Sequence, residues 1–354
     1  MNFRPSLKQQ LGCWLNERWR LELLLRCPPV AHALGIHWQT LCNRHETVTM
    51  DRSTCGARSH WADSSPLTAT RYFPSLGSRL LQHCLKEWPV AFESTPQVAP
   101  PENPELTVVV GVRGTKRMPQ FRACLNSLRA QCGPQVEILV VEQSSTSEFK
   151  SLLPADVRYI YTPLTHPKMP FNRAWALNVG GVAAKGKFLV LHDADLVVPA
   201  MFAQRVVAIL SSGVDAVRLP RFLFYLDEPS SVSIQESFSF THLRYAERVV
   251  ANNPTPVAIS KEAYLRIGGH DESFYGWGAE DNEFRDRLQT LNFSEGAFAP
   301  IIHLWHPEAP NRCGDRNAGQ LREVLQTPAK VRIKALTARG FGQMVPSVIW
   351  QETP

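Results

Sequence analysis

The sequence has no long hydrophobic run. The most apolar stretch near its start, "LELLLRCPPVAHALGIHW", is broken by Glu22, Arg26 and a Pro-Pro pair, and it is too short to span a bilayer. Arg4 and Lys8 precede this stretch, but no apolar segment with a small-residue cleavage site follows them. The pattern therefore predicts neither a transmembrane helix nor a secretory signal.

The eight cysteines form no Cys-x-x-Cys pair. Because a secretory signal is also missing, we expect reduced thiols and a cytoplasmic location. Cys42, His45, Cys55 and His60 could form a structural zinc site, but their spacings are loose. Buried cysteines and surface histidines are the alternative interpretation of this cluster.

The chain also has no block of Lys and Arg. Its formal net charge of +6 comes from 38 basic and 32 acidic side chains spread over 354 residues. This distribution fits an anionic ligand or loose attachment to an acidic membrane surface, and it argues against a nucleic-acid partner. The length allows one large domain or two unequal ones.

A Pro-rich stretch, residues 93–105, predicts a linker. It separates an N-terminal accessory region, residues 1–92, from the rest of the chain. This region has helical patterns and no catalytic motif. This region is therefore predicted to be dispensable for donor binding. Its Trp14, Arg18 and Trp19 are candidates for peripheral contact with a membrane or a partner, and packing against the following domain is the alternative.

Beyond the linker, strand and helix patterns alternate. The apolar runs "LTVVVGV", "VEILVVEQ" and "KFLVLHDADL" predict buried strands, and "MPQFRACLNSLRAQ" and "FNRAWALNVGGVAAK" predict helices. This order is typical of βαβ units, so we predict an α/β fold with a mostly parallel sheet and helices on both faces. Ligands bind such sheets at the carboxyl ends of the strands.

Two aspartates follow one of the predicted buried strands. Strand alternation would place Asp193 and Asp195 on the same face at its carboxyl end, with Ala194 pointing away. Carboxylates there need a compensating charge, and Mg²⁺ or Mn²⁺ would provide it while also binding phosphates. Solvated loop carboxylates are the alternative.

The stretch "YGWGAEDNEF" places an exposed indole, Trp277, beside a helix start. Glu280, Asp281 and Glu283 lie in the first helical turn, where the helix macrodipole alone favours acidic residues. Helix capping does not explain the tryptophan between two glycines. An apolar ring face with carboxylates beside it fits a sugar, and one carboxylate would act as a general base.

Two histidines follow the last predicted strand, in "IIHLWHPEAPNR". Either His303 or His306 could complete a metal site begun by Asp195. Histidines on a surface loop are the alternative interpretation.

These motifs, taken in order, resemble the GT-A glycosyltransferases. The resemblance is closest to family 2 enzymes with a galactosyltransferase-type C-terminal segment, which the animal β-galactosyltransferases and the bacterial chondroitin polymerases share. It covers about Leu106 to Arg312 and implies a Rossmann-like catalytic domain over residues 106–312. Residues 313–354 are then a C-terminal lid and helical extension, with the polar loop around Arg312 closing over the pyrophosphate.

The resemblance also implies a role for individual residues. Asp281 would be the catalytic base, with Glu280 as its partner in acceptor binding. Thr115 stands where the family often has a second arginine. The implied nucleotide-binding residues are Val112, Arg113, Phe171, Arg173 and Asp193, and the implied sugar-binding residues are Trp277, Gly278 and Glu280.

The metal ligands implied by the resemblance are Asp195 with Asp193 and a histidine. His306 aligns with the histidine ligand of the galactosyltransferases and His303 with their methionine, whereas the polymerases' single histidine matches His303. Imidazole with carboxylate favours Mn²⁺ over Mg²⁺.

We therefore expect an inverting, metal-dependent enzyme that transfers a sugar from a UDP-sugar to a glycan or lipid-linked acceptor. The resemblance points to galactose or N-acetylgalactosamine as that sugar. One alternative is a nucleotidyltransferase acting on a sugar phosphate, for which "GVRGTKR" is a weak phosphate loop. Another is a non-catalytic carbohydrate-binding relic, which should have lost the base or the metal ligands.

Overall fold

The computed structural model describes residues 5–52, 54–60, 65–93, 99–307 and 314–350. Within these ranges the chain folds into α-helices and β-strands, with a π-helical turn at Trp14–Arg18 between the first two helices. The helices are α1 (Leu7–Cys13), α2 (Trp19–Arg26), α3 (Pro28–Ala33), α4 (Thr68–Tyr72), α5 (Ser75–Glu87), α6 (Met118–Arg129), α7 (Arg173–Ala183), α8 (Phe202–Ser211), α9 (Glu228–Ser237), α10 (Lys261–Arg266), α11 (Glu280–Leu288), α12 (Gly314–Val324) and α13 (Ala329–Arg339). The strands are β1 (Val48–Asp51), β2 (Gly56–Ser59), β3 (Ser65–Pro66), β4 (Leu106–Val112), β5 (Val136–Ser144), β6 (Val157–Pro163), β7 (Phe188–His192), β8 (Leu196–Val197), β9 (Ala216–Arg218), β10 (Pro220–Leu226), β11 (Ala246–Ala251), β12 (Val257–Ser260), β13 (Phe293–Ser294) and β14 (Ala299–His303).

The central sheet has seven strands in the order β13-β9-β12-β7-β4-β5-β6. Strands β7, β4, β5 and β6 are parallel, whereas β12 is antiparallel to both of its neighbours. Continuous β-branched runs such as "LTVVVGV" form these strands because both faces of the sheet are covered. The predicted α/β fold with a mostly parallel sheet is confirmed.

Alternating residues of β4 contact helices on opposite faces of the sheet. Leu106, Val108 and Val110 pack in one hydrophobic cluster with α6 and α8. Val109 packs in another cluster with α7 and α11. Successive strand residues point to opposite faces, so one apolar run fills both layers of the core.

A second sheet, with strand order β3-β11-β10-β14-β8, joins the N-terminal region to the rest of the molecule. Leu24 and Leu80 of the N-terminal helices share a hydrophobic cluster with Phe222 and Phe224 of β10 and with Ile302 of β14. The region is mostly helical, as predicted, and it also contains the hairpin of β1 and β2. Its helices cover one face of the second sheet.

The domain boundaries of the sequence analysis stay a prediction, and part of the expected linker, residues 94–98, lies outside the described ranges. Among the helices that can be described, none combines the length and the hydropathy needed to cross a membrane.

Candidate active site

The candidate site lies at the carboxyl ends of the parallel strands β4 and β7. Arg113 follows β4 directly, and Asp193 follows the last residue of β7, His192. Residue 193 lies outside the strand, and residues 194 and 195 form a turn. The strand alternation expected for the two aspartates therefore stops at His192, and Asp193 and Asp195 have different partners.

Arg173 enters the site because a capping asparagine starts α7 one residue earlier. The Asn172 side-chain oxygen accepts a hydrogen bond from the Trp175 backbone N–H at 2.9 Å. Its side-chain nitrogen donates to the Glu272 carbonyl at 2.7 Å, and its backbone N–H donates to Gln143 at 2.8 Å. Asn172 is fully buried, so these bonds hold the first turn of α7 in place.

Arg173 joins the two acidic motifs. Its Nε donates to Asp193 Oδ1 at 2.6 Å, and its Nη1 donates to Asp281 Oδ1 at 2.7 Å. Glu280 lies 3.8 Å from the same Nη1 atom. Burial alone would lower the pKa of Arg173, but the three carboxylates raise it instead. Its buried Nη2 has no hydrogen-bond partner among the described residues, which leaves a donor for a ligand.

Glu280 and Asp281 hold protons more tightly than ordinary carboxyl groups. Burial, together with the charge of Asp281, raises the pKa of Glu280 to about 8. Burial also raises the pKa of Asp281, while the ion pair with Arg173 acts in the opposite direction. Burial therefore favours the neutral form of Glu280, whereas the Arg173 ion pair favours the charged form of Asp281.

A strained backbone and a buried ionic cluster position α11, which carries both carboxyl groups. The residue before it, Ala279, has a left-handed conformation with φ 75°. On its inner face, Arg287 donates to Glu283 at 2.6 Å and to the carbonyls of Ile267 and Gly269 at 2.6 Å. These contacts fix the orientation of α11, and Glu283 contributes to them as the ion-pair partner of Arg287.

Asp195, His303 and His306 form the one cluster of possible metal ligands within the described ranges. Their ligand atoms lie within 4.8 Å of one another. Burial would raise the pKa of Asp195, but His303, His306 and Arg117 hold it well below its usual range. Burial lowers the pKa of His303, which favours the neutral imidazole that binds metals.

The orientation of His306 fits a cation at this cluster. Its Nδ1 lies 2.9 Å from the Pro307 carbonyl, which can only accept, so Nδ1 carries a proton. In the neutral ring, Nε2 then presents a lone pair, and it lies 3.1 Å from Asp195 Oδ2. In the charged ring, Nε2 instead donates a hydrogen bond to Asp195, and a bound cation would take the place of that proton. The donor set of one carboxylate and two imidazoles fits Mn²⁺.

Asp193, also predicted as a metal ligand, does not belong to this cluster. Its Oδ1 is bonded to Arg173. The alternative zinc site also has no support, because its four candidate ligands do not cluster among the described residues: Cys42, His45, Cys55 and His60.

Trp277 lies on an exposed turn between two glycines with positive φ, Gly276 at 75° and Gly278 at 105°. Its side chain is 60% exposed. Asn317 of α12 is buried and donates to the carbonyls of Trp277 at 3.2 Å and Gly278 at 3.0 Å. Helix α12 therefore anchors the turn, while the Trp277 side chain is largely exposed.

The residues expected to bind the nucleotide lie together at the end of β4. The Phe171 ring packs so closely on Gly111 that a Cβ there would lie 3.3 Å from it. Val112 is buried, and burial lowers the pKa of Arg113. The structure thus brings the predicted residues 112, 113, 171 and 173 to one side of the site.

Three residues of the site were not singled out by sequence reasoning. Arg117 contacts Asp195 Oδ2 at 3.2 Å, and its signal was the basic stretch "GVRGTKR". Asn172 carried an N-cap signal, an asparagine directly before a helical pattern. Asn317 carried no local signal. Arg312 and the rest of the loop 308–313, predicted to cover the pyrophosphate, lie outside the described residues.

Comparisons with known proteins identify the family of the chain. Residues 107–295 match the family model described as glycosyltransferase like family 2. Over 123 residues the chain is 28% identical to mouse β-1,4-galactosyltransferase 4, a match that covers 34% of this chain and 29% of that protein. The chain thus spans less than a third of the length of this relative.

A solved mannosyltransferase from Pyrobaculum calidifontis, in complex with GDP-mannose and Mn²⁺, superposes with a TM-score of 0.41 and 18% identity. The match covers 74% of this chain and 76% of that one. The family model itself spans more than half of the chain. The chain therefore belongs to glycosyltransferase-like family 2 and is a glycosyltransferase.

Proposed function

We propose that this protein is an inverting, metal-dependent glycosyltransferase that moves galactose or N-acetylgalactosamine from a UDP-sugar to a hydroxyl of a glycan or lipid-linked acceptor. The observation that carries the proposal is the bridge made by Arg173. It joins Asp193, beside the metal-ligand cluster, to Asp281, beside the exposed Trp277. The donor diphosphate would lie on the Asp193 side of this bridge, and the acceptor hydroxyl would lie on the Asp281 side.

On the donor side, Asp195, His303 and His306 would hold Mn²⁺. When bound, this ion supplies positive charge against the diphosphate that leaves the sugar. Arg117 and Arg113 add fixed positive charge at the same side. Val112 and Phe171 would form an apolar wall beside the uracil ring. The free Nη2 of Arg173 would donate to a donor oxygen.

On the acceptor side, Asp281 would take the proton of the attacking hydroxyl. A bond then forms between the acceptor oxygen and the anomeric carbon, while the bond from that carbon to the diphosphate oxygen breaks. UDP leaves with the bonding electron pair, and the proton stays on Asp281. One displacement of this kind inverts the anomeric centre, and a single base is sufficient.

Two further residues would orient the sugars. The exposed Trp277 offers an apolar ring face to a pyranose. Protonated Glu280 would donate a hydrogen bond to a sugar hydroxyl, which an ionised carboxylate cannot do. The presence of a candidate base together with candidate metal ligands argues against a non-catalytic relic. A cytoplasmic location follows from the composition and is part of this proposal.

The experiment is a panel of sugar nucleotides, UDP-galactose, UDP-N-acetylgalactosamine, UDP-glucose and GDP-mannose, with released nucleoside diphosphate measured in Mn²⁺ and in EDTA. We expect release from a UDP-sugar in Mn²⁺ and none in EDTA. Release only from GDP-mannose, or equal release in EDTA, would contradict the donor or the metal requirement.

The base is tested in the same assay with Asp281→Asn, for which we expect turnover to fall about 10²- to 10⁴-fold. UDP binding should survive. Glu262→Gln is the matched control, because Glu262 also lies in the first turn of a helix but is 89% exposed. Near-native turnover in Asp281→Asn would remove this residue from the mechanism.

A further inference from the structure

An exposed apolar stripe runs along the first helical segment of the molecule. Leu7, Leu11 and Leu15 follow one another at four-residue intervals and are 83%, 61% and 58% exposed. Trp14 and Trp19 continue the same face at 50% and 42%. We refer to these five residues as the N-terminal stripe.

The π-helical turn between α1 and α2 keeps this stripe on one side. In a regular α-helix, residues four apart drift by about 40° per step around the axis. The backbone stays helical through Trp14–Arg18, and the Trp19 N–H donates to the Trp14 carbonyl five residues back. This wider turn rotates Trp19 back toward the face of the leucines.

The opposite face of the segment is fixed to the body of the protein. Cys13, Leu21 and Leu24 are buried in the cluster shared with the second sheet. Arg18 lies over the Phe73 ring at 4.0 Å. The N-terminal stripe is therefore part of a rigid surface with a set orientation.

Basic side chains border the stripe. Lys8 and Arg26 are exposed, whereas the acid on this face, Glu22, is neutralised by three arginines. Burial would raise the pKa of Glu22, but Arg18, Arg26 and Arg79 lower it. Between the two tryptophans lies an open groove of about 380 Å³, lined by Trp14, Arg18, Trp19, Glu22, Leu23 and Arg26. Its rim is aromatic and its charge is mainly positive.

We propose that the N-terminal stripe lies in the interface of an anionic lipid bilayer. Transfer of these exposed leucine side chains from water to the boundary between lipid headgroups and acyl chains is favourable, because it buries their apolar surface. Tryptophan side chains are enriched at the headgroup level. The basic border would attract anionic headgroups, and the groove between the tryptophans would take a lipid phosphate. The catalytic unit would then lie at the membrane surface, where a lipid-linked acceptor is within reach.

Two other occupants fit this surface less well. A saccharide would stack on the tryptophans, but its hydroxyl groups would make no favourable contact with three exposed leucines. A second copy meeting the face across a twofold axis would place the basic border of one copy, with Lys8 and Arg26, against the basic border of the other. Charge and side-chain type together favour the bilayer.

The first test uses the full chain and extruded vesicles, without donor or metal. We expect co-sedimentation with phosphatidylcholine vesicles that contain about one quarter phosphatidylglycerol, and about tenfold weaker binding to phosphatidylcholine alone. Brominated lipids should quench part of the tryptophan fluorescence. Absence of binding to the anionic vesicles overturns the proposal.

The second test locates the surface. Leu11→Ser combined with Leu15→Ser should weaken vesicle binding about tenfold or more. The matched control is Leu152→Ser combined with Leu325→Ser, because these leucines are also exposed, at 53% and 43%, and lie outside the stripe. Equal binding of both double variants, or loss of self-association without any vesicle binding, would overturn the assignment. Release of nucleoside diphosphate in solution should be the same in both variants, so this outcome is separate from the proposed transferase activity.

Discussion

Arg173 and Asp281 form a 2.7 Å ion pair across 108 residues of sequence. The arginine belongs to the first turn of α7 and the aspartate to the first turn of α11. Because Arg173 also binds Asp193, this one side chain couples the donor side of the site to the proposed base. Four predictions follow from this site and from the packing around it.

Arg173→Lys should lower kcat/KM about 100-fold, because an ammonium group cannot make both directed bonds of the guanidinium fork. Steady-state measurement of nucleotide release from UDP-galactose checks this. Arg322→Lys, on the exposed side of α12, is the control for the same substitution. An Arg173→Lys enzyme with native kcat/KM would show that the bridge has no catalytic role.

Loss of either histidine should weaken Mn²⁺ binding. Calorimetric titration of Mn²⁺ in the presence of UDP is expected to show about 10- to 100-fold weaker binding for His303→Ala and for His306→Ala. His242→Ala, at an exposed position outside the site, should bind as the native protein does. If neither variant weakens binding, Asp195 must hold the ion with water and phosphate alone.

Glu280 should make the folded state less stable as the pH rises. The unfolded chain loses this proton near pH 4.3, whereas the folded protein keeps it until about pH 8. The free energy of unfolding therefore falls between these two values and levels off above them. Glu280→Gln cannot ionise, so urea unfolding in EDTA should show the variant gaining stability over the native protein from about pH 5 to about pH 8.5.

The same measurement on Glu262→Gln should show no such pH-dependent difference, because that carboxylate is exposed. A constant difference between Glu280→Gln and the native protein at all pH values would contradict the raised pKa.

Removal of the N-terminal region should prevent folding, because its helices cover β10, β11 and β14. A chain starting near Glu102 is expected to be insoluble or to unfold without a cooperative transition. Leu80→Ala, at a fully buried position in this shared cluster, should lower the free energy of unfolding by about 2–5 kcal/mol with KM unchanged. Leu325→Ala, at an exposed position, is the control.

A soluble, UDP-binding protein that starts at Glu102 would contradict this expectation and confirm the sequence-based prediction that the region is dispensable for donor binding. Thermal unfolding and calorimetry with UDP decide between the two outcomes.

Local sequence determined the framework of this protein. The short apolar runs of β4 and β7 predict buried strands, and their alternation with amphipathic helices predicts the parallel sheet. Because the ends of parallel strands meet at one edge, the position of "HDAD" predicts that Asp193 and Asp195 lie at that edge, and β7 does end at His192. The glycines on both sides of Trp277 likewise predict a turn, and both adopt positive φ in the structure.

The tertiary structure alone decided which of these groups meet. Asp193 and Asp195 are two residues apart, yet one pairs with Arg173 and the other faces His303 and His306. It also decided that the N-terminal helices share their core with the second sheet while the N-terminal stripe stays exposed. Periodicity reports the amphipathic character of a helix or strand, but contacts between distant segments depend on how whole elements pack.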